Sequence, residues 1–404
     1  MLTNEKLLGI GGLQRKALLA GLIGCVVALL GGLLLGERGD KIFESFLIAF
    51  LLCFGLGAGS MACMVLHHLC GGGWSFLIQR ICEAGSRTLW FFFVLGILIL
   101  LGGLYSGSLY EWSDLAFRQA HHIVENKERF LNPSTFTVCF LVYFAIWFAI
   151  ATLYNRWSKQ LDATGNHSYL AAMKVCAGPC LILYVLSMTF AATHWAMSLE
   201  PEWFSTIYGA WMIAGYNLTV IAFAILMLTY LKDEPGIKER IQTKHYHHLG
   251  NFLLGFTIFW TYISFSQFLI IWNGNLPEEI GFYIHRTDGG LTTILLILMI
   301  FNWFVPMMVL LMRRQKTDLR KLRRIAIYTL VMRFFDMYWN IAPSFPDHHG
   351  KIVPSTLILS AAATIGIGGL WFYIYLNELK KRPLTPQQDP RGELMFYEEE
   401  HSHA

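Results

Sequence analysis

The sequence has few charged residues, because Asp, Glu, Lys and Arg make up only 14% of its 404 positions. A soluble domain carries nearer a quarter, so most of this surface must face something other than water. The formal net charge of +4 gives no indication of nucleic-acid binding. Hydrophobic residues make up 55% of the chain. This composition predicts an integral membrane protein in contact with a lipid bilayer.

Cysteine pairs at metal-ligand spacing are also missing. The eight cysteines include no CxxC pair, and most lie inside apolar runs, where cysteine behaves as a small hydrophobic residue. We therefore expect no iron–sulfur cluster, no attached haem and no metal site in this chain. The sequence has no Walker loop, dinucleotide-binding fingerprint or zincin motif.

Ten apolar runs are long enough to cross a bilayer, which takes about 20 helical residues. Their predicted bounds are 16–36, 42–68, 87–109, 134–154, 170–195, 204–231, 248–272, 290–312, 323–341 and 354–377. The first run lacks a clear cleavage site, so we expect a retained anchor. The predicted fold is an all-α membrane protein with about ten transmembrane helices over 1–379 and a polar cytoplasmic tail over 380–404.

The basic residues favour one side of the membrane. With the N-terminus placed inside, 22 of the 31 Lys and Arg residues fall in inner segments and seven in outer segments. Cytoplasmic loops carry such an excess of positive charge, so we predict that both termini face the cytoplasm. The outer loops at 112–129, 195–203, 273–288 and 341–354 are instead rich in Trp, Pro, Glu and His, and loops of this kind can dock a partner.

Two ionisable residues lie within the ninth predicted span, where charges are costly and often functional. Arg333 and Asp336 are three residues apart, so they share a helix face and can pair. One interpretation is an internal salt bridge that fixes helix packing. The other is a carboxylate on a proton path or beside a quinone head group.

Three other polar residues lie in or near spans. His194 ends the fifth span, where it can accept a proton from a quinol hydroxyl or cap the helix C-terminus. Ser264 and Gln267 lie deep in the seventh span. Such side chains either bond a neighbouring helix or line a polar cavity.

Four strings carry a family resemblance. They are HHLCGGGW at 67–74, W-x-MSLEPEWFSTIYG at 195–209, FW-x-YISFSQFLIIW-x-GNLPEE at 259–279 and RFFDMYWNIAP at 333–343. They resemble the polysulfide reductase-like, NrfD-type membrane subunits. The likeness is stronger to the two such subunits of alternative complex III, a bacterial quinol:electron-acceptor oxidoreductase. The length and the first string are similar to the shorter, F-type subunit.

The resemblance implies two four-helix bundles, at about 42–195 and 204–341, with two peripheral helices. It implies an accessory or non-catalytic subunit of a quinol-oxidising respiratory complex in the bacterial inner membrane. No cofactor would be covalently bound, and menaquinol or another quinone would be present in the complex. The expected partners are the paralogous C-type membrane subunit, which is generally credited with quinol binding, and periplasmic iron–sulfur and multihaem cytochrome c subunits.

The resemblance also suggests members of a proton path or quinol-side site. If these subunits conduct protons, the candidates here are His194, Ser264, Gln267, Arg333 and Asp336. Family sequences carry an Asp directly before the Trp that opens the second string. This chain has His194 there, so the carboxylate is absent from that position.

Two other functions stay open at this point. A secondary transporter would show inverted repeats with helices broken at mid-membrane, and Pro179 and Pro306 lie inside spans without forming a matched pair of breaks. A b-type cytochrome would use facing histidines as axial ligands, for which the pairs at 67–68 and 247–248 are candidates. A visible spectrum of the isolated chain would identify a bound haem.

Overall fold

The computed structural model describes residues 10–35, 40–287, 290–345, 348–349 and 351–392. The structure is 83% helical, and no strand occurs among the residues it describes. The predicted all-α class is therefore confirmed. The far end of the predicted polar tail, 393–404, lies outside the described residues.

Ten long helices succeed one another along the chain. They are α1 (Ile10–Leu35), α2 (Asp40–Cys70), α3 (Phe76–Tyr105), α4 (Pro133–Thr164), α5 (Ser168–Trp195), α6 (Tyr208–Leu231), α7 (Thr243–Gly274), α8 (Leu291–Leu311), α9 (Leu319–Ile341) and α10 (Pro354–Lys380). Within the described ranges, nine of them are long and apolar enough to cross a membrane. The exception is α9, because it carries four basic residues near its start as well as Arg333 and Asp336.

Several helices extend beyond the predicted apolar runs. The third span was expected at 87–109, but α3 begins at Phe76 and ends at Tyr105. Hydropathy misses its first turns because Gln79–Ser86 is polar, yet this stretch is helical and buried. Local signals set the bounds of α4: the Asn132 side chain accepts a hydrogen bond from the Thr135 N–H, and Gly165 ends the helix at φ 67°.

Two central helices organise the fold. Helix α2 packs against α3, α4 and α5, while α6 packs against α7 and α9, and α8 packs against α7 and α9. The two central helices also contact each other. In their most apolar stretches 89% of α2 and 83% of α6 are buried, against 22% of α1. This arrangement agrees with the predicted pair of four-helix bundles, α2–α5 and α6–α9.

The two remaining helices, α1 and α10, pack side by side against α2. Glycines let their backbones touch: a Cβ atom on Gly24 would lie 2.6 Å from the backbone N of Gly366. Small residues allow this close approach between apolar helices. The Gln14 amide also donates to the Asn377 side chain at 2.8 Å. These are the two predicted peripheral helices.

The loops gather at two opposite ends. We call one the basic end, formed by the loops after α2, α4, α6 and α8 and the segment after α10. There the Arg80 guanidinium pairs with Asp162. The other, the aromatic end, is formed by the loops after α3, α5, α7 and α9. There Arg286 pairs with Glu200 at 2.6 Å.

Candidate functional site

An apolar cavity, partly open to the surface, lies in the second bundle between α6, α7, α8 and α9, and its empty space including the open part is about 690 Å³. Seven of its thirteen lining residues are aromatic: Trp211, Trp260, Phe265, Phe268, Tyr283, Trp303 and Trp339. The others are Thr261, Ser264, Leu295, Leu298, Met299 and Asp336. An apolar cavity with a few polar groups is the usual form of a small-molecule site.

The cavity reaches the outer surface of the bundle between α7 and α8. Two of its lining residues, Phe265 on α7 and Met299 on α8, are 52% and 43% exposed. Where this surface faces lipid, a lipid-soluble ligand has a lateral route to the interior.

Helix α8 has an irregular turn beside the cavity. Residues Leu298–Phe304 form a π-helix, and such turns are frequent at functional sites. Pro306 has no N–H to donate back along the helix, and the Tyr328 hydroxyl of α9 donates to the Phe301 carbonyl instead. The sequence analysis noted Pro306 inside a span but did not predict this turn.

Arg333 and Asp336 form the predicted ion pair, between Nη1 and Oδ2. Both are buried, at 2% and 3% exposed. The Asp336 carboxylate also lines the cavity, and its Oδ1 atom has no hydrogen-bond partner in the described structure. Buried polar atoms nearly always have a partner, so this oxygen is an exception. It is closed off from the cavity in this structure, and a ligand hydroxyl reaches it only when the side chains around it move. The two sequence interpretations are therefore compatible in this geometry.

Ser264 and Gln267 lie one turn apart on α7 but have different surroundings. Ser264 lines the cavity and donates its hydroxyl to the Trp260 carbonyl at 2.8 Å. Gln267 is 2% exposed and does not line the cavity. Its side-chain nitrogen and oxygen both lack partners among the described residues. Neither side chain bonds a neighbouring helix.

His194 lies in the first bundle, away from this cavity. Its Nδ1 is 2.8 Å from the Tyr143 hydroxyl and its Nε2 is 3.4 Å from the Phe130 carbonyl oxygen. The ring is fully buried and stacks on Phe130 with centroids 4.1 Å apart. The next residue, Trp195, packs into an aromatic cluster with Phe54 and Trp147. The structure thus does not bring His194 together with Asp336.

A buried arginine at the aromatic end completes the site and was not singled out by the sequence. Arg286, with no exposed surface, donates to Glu200 at 2.6 Å and to the Asn340 carbonyl at 2.8 Å. The Trp339 indole donates to the Arg286 carbonyl at 3.2 Å. One wall of the cavity is thereby tied to the loops after α5 and α7. No local sequence signal pairs residues 86 positions apart.

The charge of Glu200 is stabilised by these contacts. Burial by itself raises the pKa of this carboxyl, but the Arg286 guanidinium and the nearby His285 outweigh it and hold the pKa below its ordinary value. The His285 Nδ1 atom lies 3.5 Å from the second Glu200 oxygen. Glu200 is therefore ionised near neutral pH.

The histidine pairs considered for haem have other contacts. His67 Nδ1 meets the Ser75 hydroxyl, and His68 Nδ1 lies 3.5 Å from the Arg391 guanidinium. The rings of His247 and His248 contact each other. In the described part of the chain, no three His, Cys, Asp or Glu side chains are grouped to hold a metal ion.

No protein-family model matches this sequence, and no curated protein sequence matches it. The resemblance to NrfD-type subunits therefore stays a prediction that rests on the four strings.

Proposed function

We propose that this chain is an integral membrane subunit of a quinol-oxidising electron-transfer complex of the alternative complex III type. In this proposal it lies in the bacterial inner membrane with its basic end and both termini in the cytoplasm. It anchors periplasmic iron–sulfur and multihaem subunits beside a paralogous membrane subunit. Its second bundle also binds a quinone ring. The observation that supports this proposal is the aromatic cavity with Asp336 in its wall.

The chemistry of the cavity suits a quinone. A quinone has a flat apolar ring, two oxygens that form hydrogen bonds, and an isoprenoid tail. Aromatic side chains favour stacking with such a ring, and the exposed gap at Phe265 and Met299 leaves room for the tail to extend into lipid. The unpartnered Asp336 Oδ1 is the acceptor for a quinol hydroxyl in this proposal, and the hydroxyl reaches it when the side chains that bury it move aside.

Asp336 has one role in this proposal. A quinol loses two electrons and two protons when it becomes a quinone. The electrons pass to an iron–sulfur partner, Asp336 accepts one proton from a quinol hydroxyl, and the second proton passes to water. A positioned carboxylate contributes roughly 100-fold or more to such a step. The adjacent Arg333 holds the carboxylate in place through their ion pair.

The partner surface in this proposal is a groove at the aromatic end. Four glutamates line it, Glu111, Glu200, Glu202 and Glu278, together with the three histidines His121, His285 and His349. Glu200 is paired with Arg286, and the other three glutamates favour a partner whose docking surface is basic. The groove lies next to Trp203, which stacks on Phe282 at 4.0 Å.

The quinone site can be tested with a photo-reactive quinone added to the purified complex. The label is expected on peptides of α7 and α8, and excess menaquinol should compete with it. Ser264→Phe fills the cavity and should abolish that label. Ser266→Phe is the matched control, because residue 266 is on the same helix two positions away and does not line the cavity. Labelling elsewhere, or equal labelling in both variants, would contradict the site.

The proton role needs a separate test. Asp336→Asn keeps the shape of the side chain but leaves Arg333 without its ionised partner, so turnover is expressed per folded complex. We expect quinol oxidation by the reconstituted complex, corrected in this way, to fall about 100-fold or more. Glu44→Gln is the control, since Glu44 is also a buried carboxylate, 4% exposed, but pairs with Lys41 away from the cavity. Unchanged turnover and unchanged proton release per quinol in Asp336→Asn would rule out this role.

A further inference from the structure

Residues 381–392, which we call the strap, fold back over the basic end of the first bundle. At its start, Arg382 donates to the Glu83 carboxylate at 3.1 Å and to the Asn155 carbonyl at 2.8 Å. The sequence predicts a polar cytoplasmic extension here, and its described part is packed against its own chain.

The middle of the strap is held by two further polar contacts. The Gln387 N–H donates to Asp162 Oδ1 at 3.1 Å, and Arg240 donates to the Thr385 hydroxyl at 2.9 Å. Leu384 and Thr385 are 5% and 1% exposed. The strap therefore spans from α10 across α4 to the loop after α6.

The end of the strap carries an internal ion pair, Arg391 with Asp389, that lies beside His68. The Arg391 guanidinium binds both carboxylate oxygens of Asp389, with Nε at 2.9 and 3.1 Å from them. Its Nη2 lies 3.5 Å from His68 Nδ1 at the end of α2. Next to it, a Cβ atom on Gly392 would lie 2.8 Å from the Phe76 ring. This end thus packs closely on α2 and α3.

The strap covers a buried carboxylate. Glu83 has no exposed surface, accepts the Ser158 hydroxyl at 2.7 Å and pairs with Arg80 at 2.6 Å. Asn155, Ser158 and Asp162 recur on one face of α4, at i, i+3 and i+7. The strap contacts the first and the last of these three, so Ser158 and Glu83 lie beneath it.

We propose that the strap is a removable lid, which closes Glu83 and its partners off from the aqueous phase at the basic end. Several of its contacts to the bundle are polar, among them the Arg382–Glu83 ion pair, and water replaces part of their energy when the strap lifts, whereas ordering the segment costs conformational entropy. A closed lid of this kind is poised to open. Arg391, which we call the latch, joins the end of the strap to His68 on α2.

The lid can be tested by cysteine labelling in the full-length protein. Ser158→Cys places a thiol beneath the strap, and its reaction with a charged maleimide is followed site by site by mass spectrometry. We expect slow labelling with the strap intact and labelling at least tenfold faster when Arg391→Ala is added. Truncation after Lys380 should give a larger increase. Fast labelling with the strap intact, or no increase in the two variants, would overturn the proposal.

Two native cysteines separate lid opening from unfolding. Cys53 is buried in the middle of α2, and Cys70 is exposed at its end. Lid opening leaves the rates at which Cys53 and Cys70 react with the maleimide unchanged. If the truncated chain also labels at Cys53, that chain has unfolded. The result with Arg391→Ala then decides by itself whether the lid opens. In the Arg391→Ala variant, faster labelling at position 158 with Cys53 still protected supports the lid. Faster labelling at both positions rejects it.

Discussion

The Arg333–Asp336 pair offers a quantitative test of the second bundle. Both side chains are almost completely buried. Removing one partner of a buried ion pair leaves an uncompensated charge and costs about 3–5 kcal/mol, whereas replacing both partners with apolar residues is often neutral or stabilising by about 1–4 kcal/mol. We therefore expect Arg333→Met and Asp336→Leu each to destabilise the protein strongly, and the double variant to be more stable than either.

The surroundings of Arg333 explain why a lone charge would find little compensation. Its guanidinium presses against Gly215, where a Cβ atom would lie 2.8 Å from Cζ. The ring centre of Trp260 is 5.9 Å away, and a cation–π contact contributes only about 0.5–2 kcal/mol. That is less than the cost of losing Asp336.

The measurement is a double-mutant cycle from reversible unfolding in mixed micelles. The coupling energy is the amount by which the double variant differs from the sum of the two single variants. We expect it to be several kcal/mol in favour of the pair. If the effects of the single variants simply add, the two groups are not coupled in a dry interior, and the reasoning is wrong.

The double variant also separates the two interpretations of this pair. If the pair only fixes helix packing, Arg333→Met with Asp336→Leu keeps both the fold and quinol turnover in the complex. If Asp336 accepts a proton, the same variant keeps the fold and loses turnover. Stability and turnover measured on one sample therefore distinguish structure from chemistry.

Three further predictions address other parts of the molecule. Gly24→Leu should separate α1 from α10 at a cost of about 1–3 kcal/mol in stability, and proteolysis should then release α1 faster. Gly12→Leu is the control and should have neither effect, since a Cβ atom at Gly12 meets nothing within 4 Å. The pKa of Glu200 is depressed, so its ion pair with Arg286 stabilises the aromatic-end loops fully above pH 4.5, the ordinary pKa, and this stabilisation is lost as pH falls through the lower pKa of the folded protein. Hydrogen exchange of these loops should rise in that lower pH range, and Glu200→Gln should abolish this pH dependence. Cys70, exposed at the basic end, should react with an impermeant maleimide in inverted vesicles but not in intact cells, and the reverse result would contradict the predicted orientation.

Much of the helical framework follows from the sequence. Each of the ten predicted spans coincides largely with a long helix in the described residues, and nine of these helices are long and apolar enough to cross a membrane. An apolar run of sufficient length must satisfy its backbone hydrogen bonds internally in lipid. The pairing of Arg333 with Asp336 was also predictable, since helix geometry alone brings i and i+3 together. The early start of α3 was not predictable from hydropathy, because the partners of Glu83 come from α4 and from the strap.

The sequence by itself thus determined the all-α class, the number of helices, their approximate bounds and the local ion pair. Those features depend on residues close together in the chain. Only the tertiary structure decided that Asp336 and Ser264 share one cavity, that His194 is enclosed in the other bundle, and that Glu200 meets Arg286. These outcomes depend on how helices separated by tens of residues pack against one another, and the apolar pattern of each helix does not specify its neighbours.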